Sequence, residues 1–462
     1  MLAMKKFKPV RQLARIYPES MAIGSVVAEW LGRRAGGRGR QIPISLEEGF
    51  PGRLSGPTPA CANQDWGGGD QSYVEWSTPV RIAGKWGSQP STPHPLLTSV
   101  FHVTSSVLLP GSGIWRLWRS VATGASGFIG GEILYNLVKY HPEYTIRALF
   151  RDSKKAQSLT GVFANTQVVE GSLDDDVVLI KEAAEADIIV HAAATGHLRS
   201  VQTIHEALKK RPADGRPVYW IQVSGATAVS AAELADKSRV PGSPSDAIWD
   251  DLDGVADIRD MIQKHPSRAV DNYMLSVAQD TPQVNTAILF PPIIFGTGHG
   301  PINQRSIQIP RLAKATLERK RGLVVGKGEN RWGSVHIRDL GRLVLKLVES
   351  ATEPGQYDEQ LWNDNGLYML GLEETTFRHL SERVAELAVG KGFIPSAAGI
   401  EQVLGGEAYM LLPHATVIYG TNARSRARRG QEVLGWKPEH VPGLEQGIVE
   451  AVDVEAKLLG LA

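Results

Sequence analysis

The sequence predicts an α/β protein with a doubly wound parallel sheet, a smaller C-terminal domain and an irregular N-terminal extension. Two observations predict this fold. From Val121 onward, short apolar runs alternate with helical patterns of about 10–15 residues, which is typical of strand–helix–strand units. The runs at 187–194 and 218–224 are apolar on both faces, as the buried strands of a parallel sheet are.

The predicted elements follow one another in a regular order. Strands are expected at 144–150, 167–170, 187–193, 217–224 and 284–290, and helices at 130–140, 176–185, 199–209, 257–264 and 268–279. The opening strand departs from this pattern, because Arg116 and Arg119 interrupt the run 113–120 where a central strand is expected. In that register both arginines lie in a buried sheet, where an unpaired charge is costly.

The first part of the chain has a different character. Residues 1–115 show no sustained period of either 2 or 3.6, and they are rich in glycine, proline and serine. Six of the eleven tryptophans fall within the first 118 residues without a regular pattern, which neither builds a core nor is typical of a linker. We interpret 1–115 as an extension that is either an artefact of an imperfect gene model or a genuine disordered segment.

Composition narrows the class of protein. A hydrophobic content of 42% and a charged content of 21% are those of an ordinary globular protein. The net charge of +1 gives no reason to expect nucleic acid or an anionic membrane as a partner. Cys61 is the only cysteine, no apolar run approaches the ~20 residues of a membrane span, and no histidines stand at metal-ligand spacing. We therefore expect a cytoplasmic protein with a small-molecule partner and no metal, and the sequence leaves its oligomeric state open.

Three glycines spaced three apart, Gly124, Gly127 and Gly130, open the first predicted helix. The first glycine permits a tight turn out of a strand, the second lets a pyrophosphate approach the backbone, and the third lets the helix pack closely on the sheet. The phosphate then lies on free N–H groups at the positive end of the helix dipole. The alternative is a glycine-rich turn with no ligand.

A basic cluster follows the next predicted strand, where a doubly wound fold contacts the adenosine ribose. Arg151 stands at that position, with Lys154 and Lys155 behind it and Asp152 beside it. An acidic residue there favours NAD, whereas an arginine favours the 2′-phosphate of NADP. The sequence therefore predicts NADP as the cofactor, with NAD possible. A solvated charge cluster is the alternative interpretation.

Six segments, in this order and spacing, resemble one family of proteins. They are Thr123–Gly130, Gly171–Asp174, His191–Ala194, Val223–Ala226, Leu289–Gly296 and Arg331–Leu340. Together they resemble the extended short-chain dehydrogenases, also called the NAD-dependent epimerase/dehydratase family, and within it the fungal NmrA-like and nucleoside-diphosphate-sugar epimerase-like proteins. The resemblance implies a Rossmann-type domain at 116–296, to which 331–352 returns, and a substrate domain built mainly from 297–330 and 353–462.

The same resemblance implies which residues hold the cofactor. They are Gly124, Ser126, Gly127, Phe128, Ile129, Gly130, Arg151, Ser172, Leu173, Ala192, Ala193, Ala194, Pro291 and Ile293. It also implies that Ser224, at a strand end, hydrogen-bonds a substrate carbonyl or hydroxyl. The alternative is a serine that caps the following helix.

The proton donor of that family, a tyrosine followed four residues later by a lysine, is not found where it is expected. The stretch 261–275 lacks the pair, and the literal match Tyr135…Lys139 lies in the first helix, out of reach of a nicotinamide. Lys264, His265 and Arg268 are the cationic or titratable groups in the expected region. His265 titrates in the useful range and is the candidate acid, although a structural or solvated histidine is the alternative.

These observations lead to one main hypothesis and two alternatives. The main hypothesis is an NAD(P)-dependent oxidoreductase of the extended short-chain dehydrogenase type, acting on a small carbonyl or alcohol. The first alternative is a nucleotide-sugar epimerase or dehydratase, which depends even more on the tyrosine. The second is a non-catalytic NADP-sensing regulator of NmrA type, which keeps the glycine loop and lacks the tyrosine–lysine pair.

Overall fold

Parallel strands and the helices between them dominate the computed structural model. It describes residues 119–462 except 153, 155, 157–162, 164, 213–215, 354–356, 397–398 and 440–442. The predicted extension 1–115 and Arg116 lie outside the described residues. All the described residues belong to one unit, Leu108–Ala462.

Fourteen strands are present in the described part of the chain. They are β1 Arg119–Thr123, β2 Thr145–Phe150, β3 Thr166–Glu170, β4 Ile188–His191, β5 Val218–Val223, β6 Trp249–Asp250, β7 Val284–Phe290, β8 Ile293–Phe295, β9 Gly322–Val325, β10 Arg331–His336, β11 Leu367–Met369, β12 Glu373–Thr376, β13 Ile400–Val403 and β14 Ser425–Arg426. Seven of them form the central sheet in the order β11-β7-β5-β4-β1-β2-β3, and all neighbours in it are parallel. The predicted doubly wound sheet is therefore confirmed.

Twelve α-helices connect these strands within the described residues. They are α1 Phe128–Tyr140, α2 Asp176–Glu185, α3 Leu198–Lys209, α4 Ala231–Ala235, α5 Val255–Gln263, α6 Ala269–Asp280, α7 Gln308–Arg319, α8 Ile337–Thr352, α9 Phe377–Gly390, α10 Gly405–Leu411, α11 Ala415–Ile418 and α12 Leu444–Leu458. In the described residues, none of these helices is long and apolar enough to cross a membrane.

Helices cover both faces of the central sheet, because its strands are apolar on both sides. All six residues of β5 are buried, and Trp220 within it is fully inaccessible. On one face α1 packs against α8, and the shared core includes Leu137 and Leu343. On the other face α2, α3 and α6 pack in sequence, with Val201 and Met274 in the core. Each such fully buried aliphatic side chain contributes about 1.5–3 kcal/mol.

The opening strand differs from the expectation. Arg119 is its first residue, and the Arg119 side chain is about half exposed and forms an ion pair with Glu185 at 2.5 Å. The buried part of β1 is the apolar and small stretch Ser120–Thr123. The prediction that Arg119 lies buried in the sheet is wrong, because Arg119 is the first residue of β1, and at the end of the strand this long side chain reaches solvent.

The remaining elements form smaller sheets and a helical layer. Strand β10 pairs with β8 and β12, and β9 pairs with β13. Helices α7, α9 and α12 pack on one another. Strand β11 lies in the range predicted mainly for the substrate domain. It nevertheless belongs to the central sheet, as an outermost strand that pairs with β7. The division into two domains stays a prediction.

A buried carboxylate joins three distant segments of the chain. Asp251 is fully inaccessible, and its oxygens accept hydrogen bonds from the backbone N–H groups of Met369 (2.9 Å), Arg428 (2.7 Å) and Arg429 (2.8 Å). The Arg429 side chain is also buried, and its Nε donates to the Asp251 carbonyl oxygen at 2.8 Å. Asp251 therefore holds the C-terminal segment against the edge of the central sheet.

Candidate functional site

The glycine loop between β1 and α1 has the geometry that its spacing predicts. Gly124 has a φ of +79°, and a Cβ there would overlap the carbonyl oxygen of Ala192. A Cβ at Gly130 would overlap the Gly124 carbonyl oxygen. Gly127 differs, because its backbone is extended (φ −84°) and an added Cβ would lie 3.1 Å from that same oxygen. The fold itself thus requires Gly124 and Gly130, whereas Gly127 keeps clear a surface above the loop.

The start of α1 is suited to a phosphate group. Gly127 is the N-cap residue and provides no side-chain cap, and the first turn of α1 contains no acidic residue. The first backbone N–H groups of a helix have no partner within it, and they carry the positive end of its dipole. Ser126, Gly127 and Ile129 are half-buried at this point. These residues fit the pyrophosphate of a dinucleotide.

Phe128 and the loop after β8 close the side of this helix start. The Phe128 side chain is buried, and Gly298 lies against its ring. The backbone N–H of His299 donates to a Glu132 carboxylate oxygen at 2.5 Å, and the His299 ring stacks on Tyr135 with 4.5 Å between centroids. Tyr135 therefore packs under a loop, as expected for a residue unrelated to proton transfer.

The neighbouring parallel strands finish at the same end of the sheet as β1, beside the glycine loop. Ala192 follows β4, and its N–H donates to the Thr123 carbonyl oxygen at 3.2 Å, so it lies directly beside the loop. Ala193 is half-buried and Ala194 is exposed. His191, the last residue of β4, is buried, and its ring lies 3.2 Å from the Ser200 hydroxyl. Burial lowers the pKa of this imidazole to about 4. His191 is thus neutral at pH 7.

The segments predicted to hold the adenosine follow β2 and β3. Ser172 and Leu173 are half-buried, and the Ser172 hydroxyl accepts a hydrogen bond from the Asp174 N–H at 3.2 Å. Arg151 is exposed directly after β2, and among the described residues its guanidinium has no ion-pair or hydrogen-bond partner. The Asp152 carboxylate accepts from the Lys154 N–H at 2.9 Å, so it is turned into its own loop. Within the described residues, Arg151 is therefore an available cation at this position, and the exposed Lys154 is another.

The two residues predicted to close over the nicotinamide are placed differently. The Pro291 carbonyl oxygen accepts from the Ala226 N–H at 3.0 Å, just beyond β5. Ile293 lies in β8, which pairs with β10, and its side chain is fully buried in the hydrophobic core. The Ile293 side chain therefore lines no open groove here, and a cofactor contact from it stays a prediction.

Ser224 directly follows β5 at the same sheet edge. Its N–H donates to the Leu289 carbonyl oxygen at 2.8 Å, which fixes the backbone. Its hydroxyl accepts a hydrogen bond from Arg268 Nη2 at 3.0 Å. The next short helical turn, Ala226–Ala228, has Gly225 at its N-cap and no side-chain cap, so Ser224 does not cap it.

His265 is not part of this arrangement. Its Nδ1 lies 2.6 Å from the Met261 carbonyl oxygen, and its side chain lines a groove of about 770 Å³ together with Asp257, Asp260 and Arg426. None of the described contacts of Ser224 involves His265. The structure thus brings Ser224 together with Arg268 and not with the histidine, and the acid role of His265 stays a prediction without a supporting contact.

Sequence reasoning missed the acidic partner of Arg268. The Asp271 carboxylate accepts from Arg268 Nε at 2.7 Å and pairs with Nη2 at 2.5 Å. The signal was present, since the two residues stand three apart at the start of a helix. Within the described residues, no group of three or more histidine, cysteine, aspartate or glutamate side chains is arranged to hold a metal.

A glycine loop, a phosphate-binding helix start and a polar cluster at one edge of a parallel sheet define a dinucleotide-binding α/β protein. Comparison with known families agrees with this class. Residues 124–239 match the NAD(P)H-binding family, and residues 231–358 match the NAD dependent epimerase/dehydratase family. An oxidase from Acremonium sp, ucsJ, is 32% identical over 347 residues, which are 74% of this chain and 98% of that protein. The chain belongs to the NAD-dependent epimerase/dehydratase family.

More distant relatives share the fold. A dTDP-glucose 4,6-dehydratase of Mycobacterium tuberculosis is 21% identical over 281 residues, 58% of this chain and 82% of that protein. The structure of UDP-glucuronic acid 4-epimerase from Bacillus cereus matches with a TM-score of 0.51 at 17% identity, covering 74% of this chain and 99% of the epimerase. A dTDP-glucose 4,6-dehydratase from Streptomyces venezuelae gives the same TM-score of 0.51, also at 17% identity, over 74% of this chain and 98% of its own.

Proposed function

We propose that the protein is an NAD(P)-dependent oxidoreductase that acts on a small carbonyl or alcohol substrate. The observation that supports this best is the position of Ser224, whose hydroxyl follows β5 at the edge that also carries the glycine loop, and which contacts a guanidinium. A bound nicotinamide supplies or accepts the hydride. The part left to this chain is to hold the substrate oxygen, and the relative named as an oxidase supports redox chemistry.

Replacing Ser224 tests this assignment. We expect Ser224→Ala to lower kcat for the best carbonyl substrate by about 10- to 100-fold, since the change removes one hydrogen bond to the reacting oxygen. NADPH affinity should stay close to that of the parent, because the serine faces the substrate. The matched control is Ser276→Ala on α6, whose hydroxyl donates to the Tyr273 carbonyl oxygen at 2.9 Å. Fast turnover that is unaffected by Ser224→Ala would contradict the proposed site.

We infer that NADP is preferred over NAD, because Arg151 is an exposed cation at the ribose position that has no partner among the described residues. We expect Arg151→Ala to weaken NADPH binding by about 10- to 100-fold and NADH binding much less, since only NADPH carries the 2′-phosphate. Calorimetric titration of both nucleotides measures the difference. The control is Arg383→Ala, which removes a partly exposed arginine of α9 that pairs with Glu445 of α12, and it should change neither affinity. Equal losses for NADPH and NADH would exclude Arg151 from cofactor choice.

A non-catalytic NADP sensor is the second candidate, and a specific observation favours it. The residue pair at the tyrosine–lysine spacing beside Ser224 is Arg268 and Asn272, and neither is a proton donor of the usual kind. A sensor binds NADPH and turns over no carbonyl. The nucleotide-sugar epimerase is less well supported, because it must remove and return a proton and depends more on the missing tyrosine.

A further inference from the structure

Arg268 contacts two hydroxyl groups beyond the end of β5. Its Nη2 donates to Ser224 Oγ at 3.0 Å, and its Nη1 donates to Thr227 Oγ1 at 3.2 Å. The Arg268 side chain is about one-fifth exposed and Ser224 is buried, so the guanidinium is largely screened from solvent. We call Ser224, Thr227 and Arg268 the oxyanion cluster.

The oxyanion cluster has hydrogen-bond donors that the described residues do not use. A guanidinium has five N–H groups, and the four contacts to Asp271, Ser224 and Thr227 leave one on Nη1. Because both hydroxyls accept from Arg268, each keeps its own hydrogen to donate, and no acceptor for either is found in the described residues. Three donors, one of them on a cation, are therefore left for a ligand oxygen.

Asp271 fixes the direction of these donors. Its carboxylate is buried, and one oxygen takes the Nε and one Nη2 hydrogen of Arg268, so the opposite side of the guanidinium faces the two hydroxyls. The other oxygen, Asp271 Oδ1, has no hydrogen-bond partner among the described residues. The ion pair also explains how the cation is tolerated in a partly buried place.

The other polar side chains of this turn are committed elsewhere. The Asn272 amide donates to the carbonyl oxygens of Ile262 (2.9 Å) and Arg268 (3.1 Å), which stabilises the α5–α6 corner. The Tyr273 hydroxyl lies 3.0 Å from His205 Nδ1, on the side facing α3, and burial raises the pKa of this phenol. Arg268, the N-cap residue of α6, is therefore the side chain of this turn that shares a hydrogen bond with Ser224.

We propose that the oxyanion cluster binds the substrate oxygen and stabilises the negative charge that it gains during reduction, with Arg268 as a permanently charged electrophile in place of a phenol. This inference rests on the proposed function. The carbonyl carbon receives the hydride with its electron pair from the bound reduced cofactor, and the C=O π pair moves to the oxygen. The resulting alkoxide takes its proton from solvent water. The guanidinium donates hydrogen bonds to the oxygen but keeps its protons, because it stays charged in proteins.

Arg268→Ala tests this role in the full chain, with NADPH and a panel of small aldehydes and ketones. We expect kcat to fall by about 10²- to 10³-fold, as when one oxyanion donor is removed. NADPH affinity should be unchanged. Added guanidinium chloride, far below denaturing concentrations, should restore part of the lost rate to Arg268→Ala and none to Ser224→Ala. Arg268→Lys should keep more activity than Arg268→Ala, and the Arg383→Ala control should behave as the parent does.

A second readout does not depend on turnover. Oxalate, titrated into the full chain saturated with NADP⁺, should bind to the parent and lose about 10- to 100-fold in affinity in Arg268→Ala and in Thr227→Val. The Arg383→Ala control should bind oxalate as the parent does. This measurement keeps the test valid if one variant folds poorly, because the two substitutions lie on different elements.

The outcomes separate this inference from the proposed function. Suppose that the parent reduces carbonyls. If Arg268→Ala reduces them equally well, or binds oxalate as tightly as the parent does, the role of the oxyanion cluster is overturned while the oxidoreductase stands. If oxalate binding requires Arg268 but no carbonyl is reduced, the anion site is supported and the oxidoreductase is rejected in favour of a sensor. If the chain binds neither NADPH nor NADH, both are rejected.

Discussion

Gly127→Val is expected to abolish nucleotide binding while the protein stays folded. The added side chain projects from the N-cap of α1 into the space above the loop, where a pyrophosphate needs direct access to the backbone N–H groups. We expect NADPH and NADH affinity to fall by about 100-fold or more, which corresponds to about 3 kcal/mol. Calorimetric titration of both nucleotides measures the loss, and thermal unfolding measures the integrity of the fold.

Two other glycines serve as matched comparisons. Gly130→Val should unfold the loop itself, because its Cβ overlaps the Gly124 carbonyl oxygen whether or not a ligand is bound. Gly390→Val, at the end of α9 where nothing lies within 4 Å of the added Cβ, should leave nucleotide affinity unchanged. A Gly127→Val protein that binds nucleotide nearly as tightly as the parent would mean that this loop holds no phosphate.

Asp251→Ala is expected to cause the largest loss of stability. The change leaves the backbone N–H groups of Met369, Arg428 and Arg429 without their acceptor, and it leaves the buried Arg429 side chain without a neighbouring carboxylate. Breaking a buried charged network in this way costs about 3–5 kcal/mol. Urea unfolding measures the free energy, and Asp253→Ala is the control.

Asp253 is a close match, because it also pairs with Arg428 but is about three-quarters exposed. Surface ion pairs contribute about 0–1 kcal/mol, so Asp253→Ala should change the unfolding free energy by less than that. Similar losses for Asp251→Ala and Asp253→Ala would show that the buried carboxylate does not hold the C-terminal segment in place.

The same carboxylate predicts a dependence on pH. Burial raises the pKa of Asp251 to about 6, above its ordinary value of 3.8, despite its hydrogen bonds from backbone N–H groups. The folded state therefore binds this proton more tightly than the unfolded state, and the stability gained from it is lost as the pH rises from about 4 through 6. Relative to Asp251→Asn, which does not titrate, the parent should become less stable over that range. A constant difference between the two would contradict the raised pKa.

The elements that the sequence predicted best are those with strong local periodicity. Helix α2 and strand β7 have the predicted bounds, and the glycine loop has the turn that its spacing required. Strand β11, Leu367–Met369, was not predicted. It is too short to show a period, and its pairing with β7 defines it as a strand.

The site was harder to predict than the fold. Ser224 was identified from its segment, but its contact with Arg268 joins residues 44 positions apart, and the packing of α6 against β7, the neighbour of β5, brings them together. The network of Asp251 joins residues more than 100 positions apart and has no local pattern. Arg119 was misplaced because the local sequence does not show that it is the first residue of β1, where the side chain reaches solvent.

The most direct test of the proposed chemistry follows the hydride itself. NADPH deuterated at C4 is incubated with the full chain and a panel of small aldehydes and ketones, and the alcohol products are examined by mass spectrometry. We predict that at least one alcohol gains a single deuterium on its carbinol carbon, and that Gly127→Val forms none. Deuterium in no product, from a parent that binds NADPH tightly, would contradict the oxidoreductase and identify the protein as a nucleotide-binding sensor.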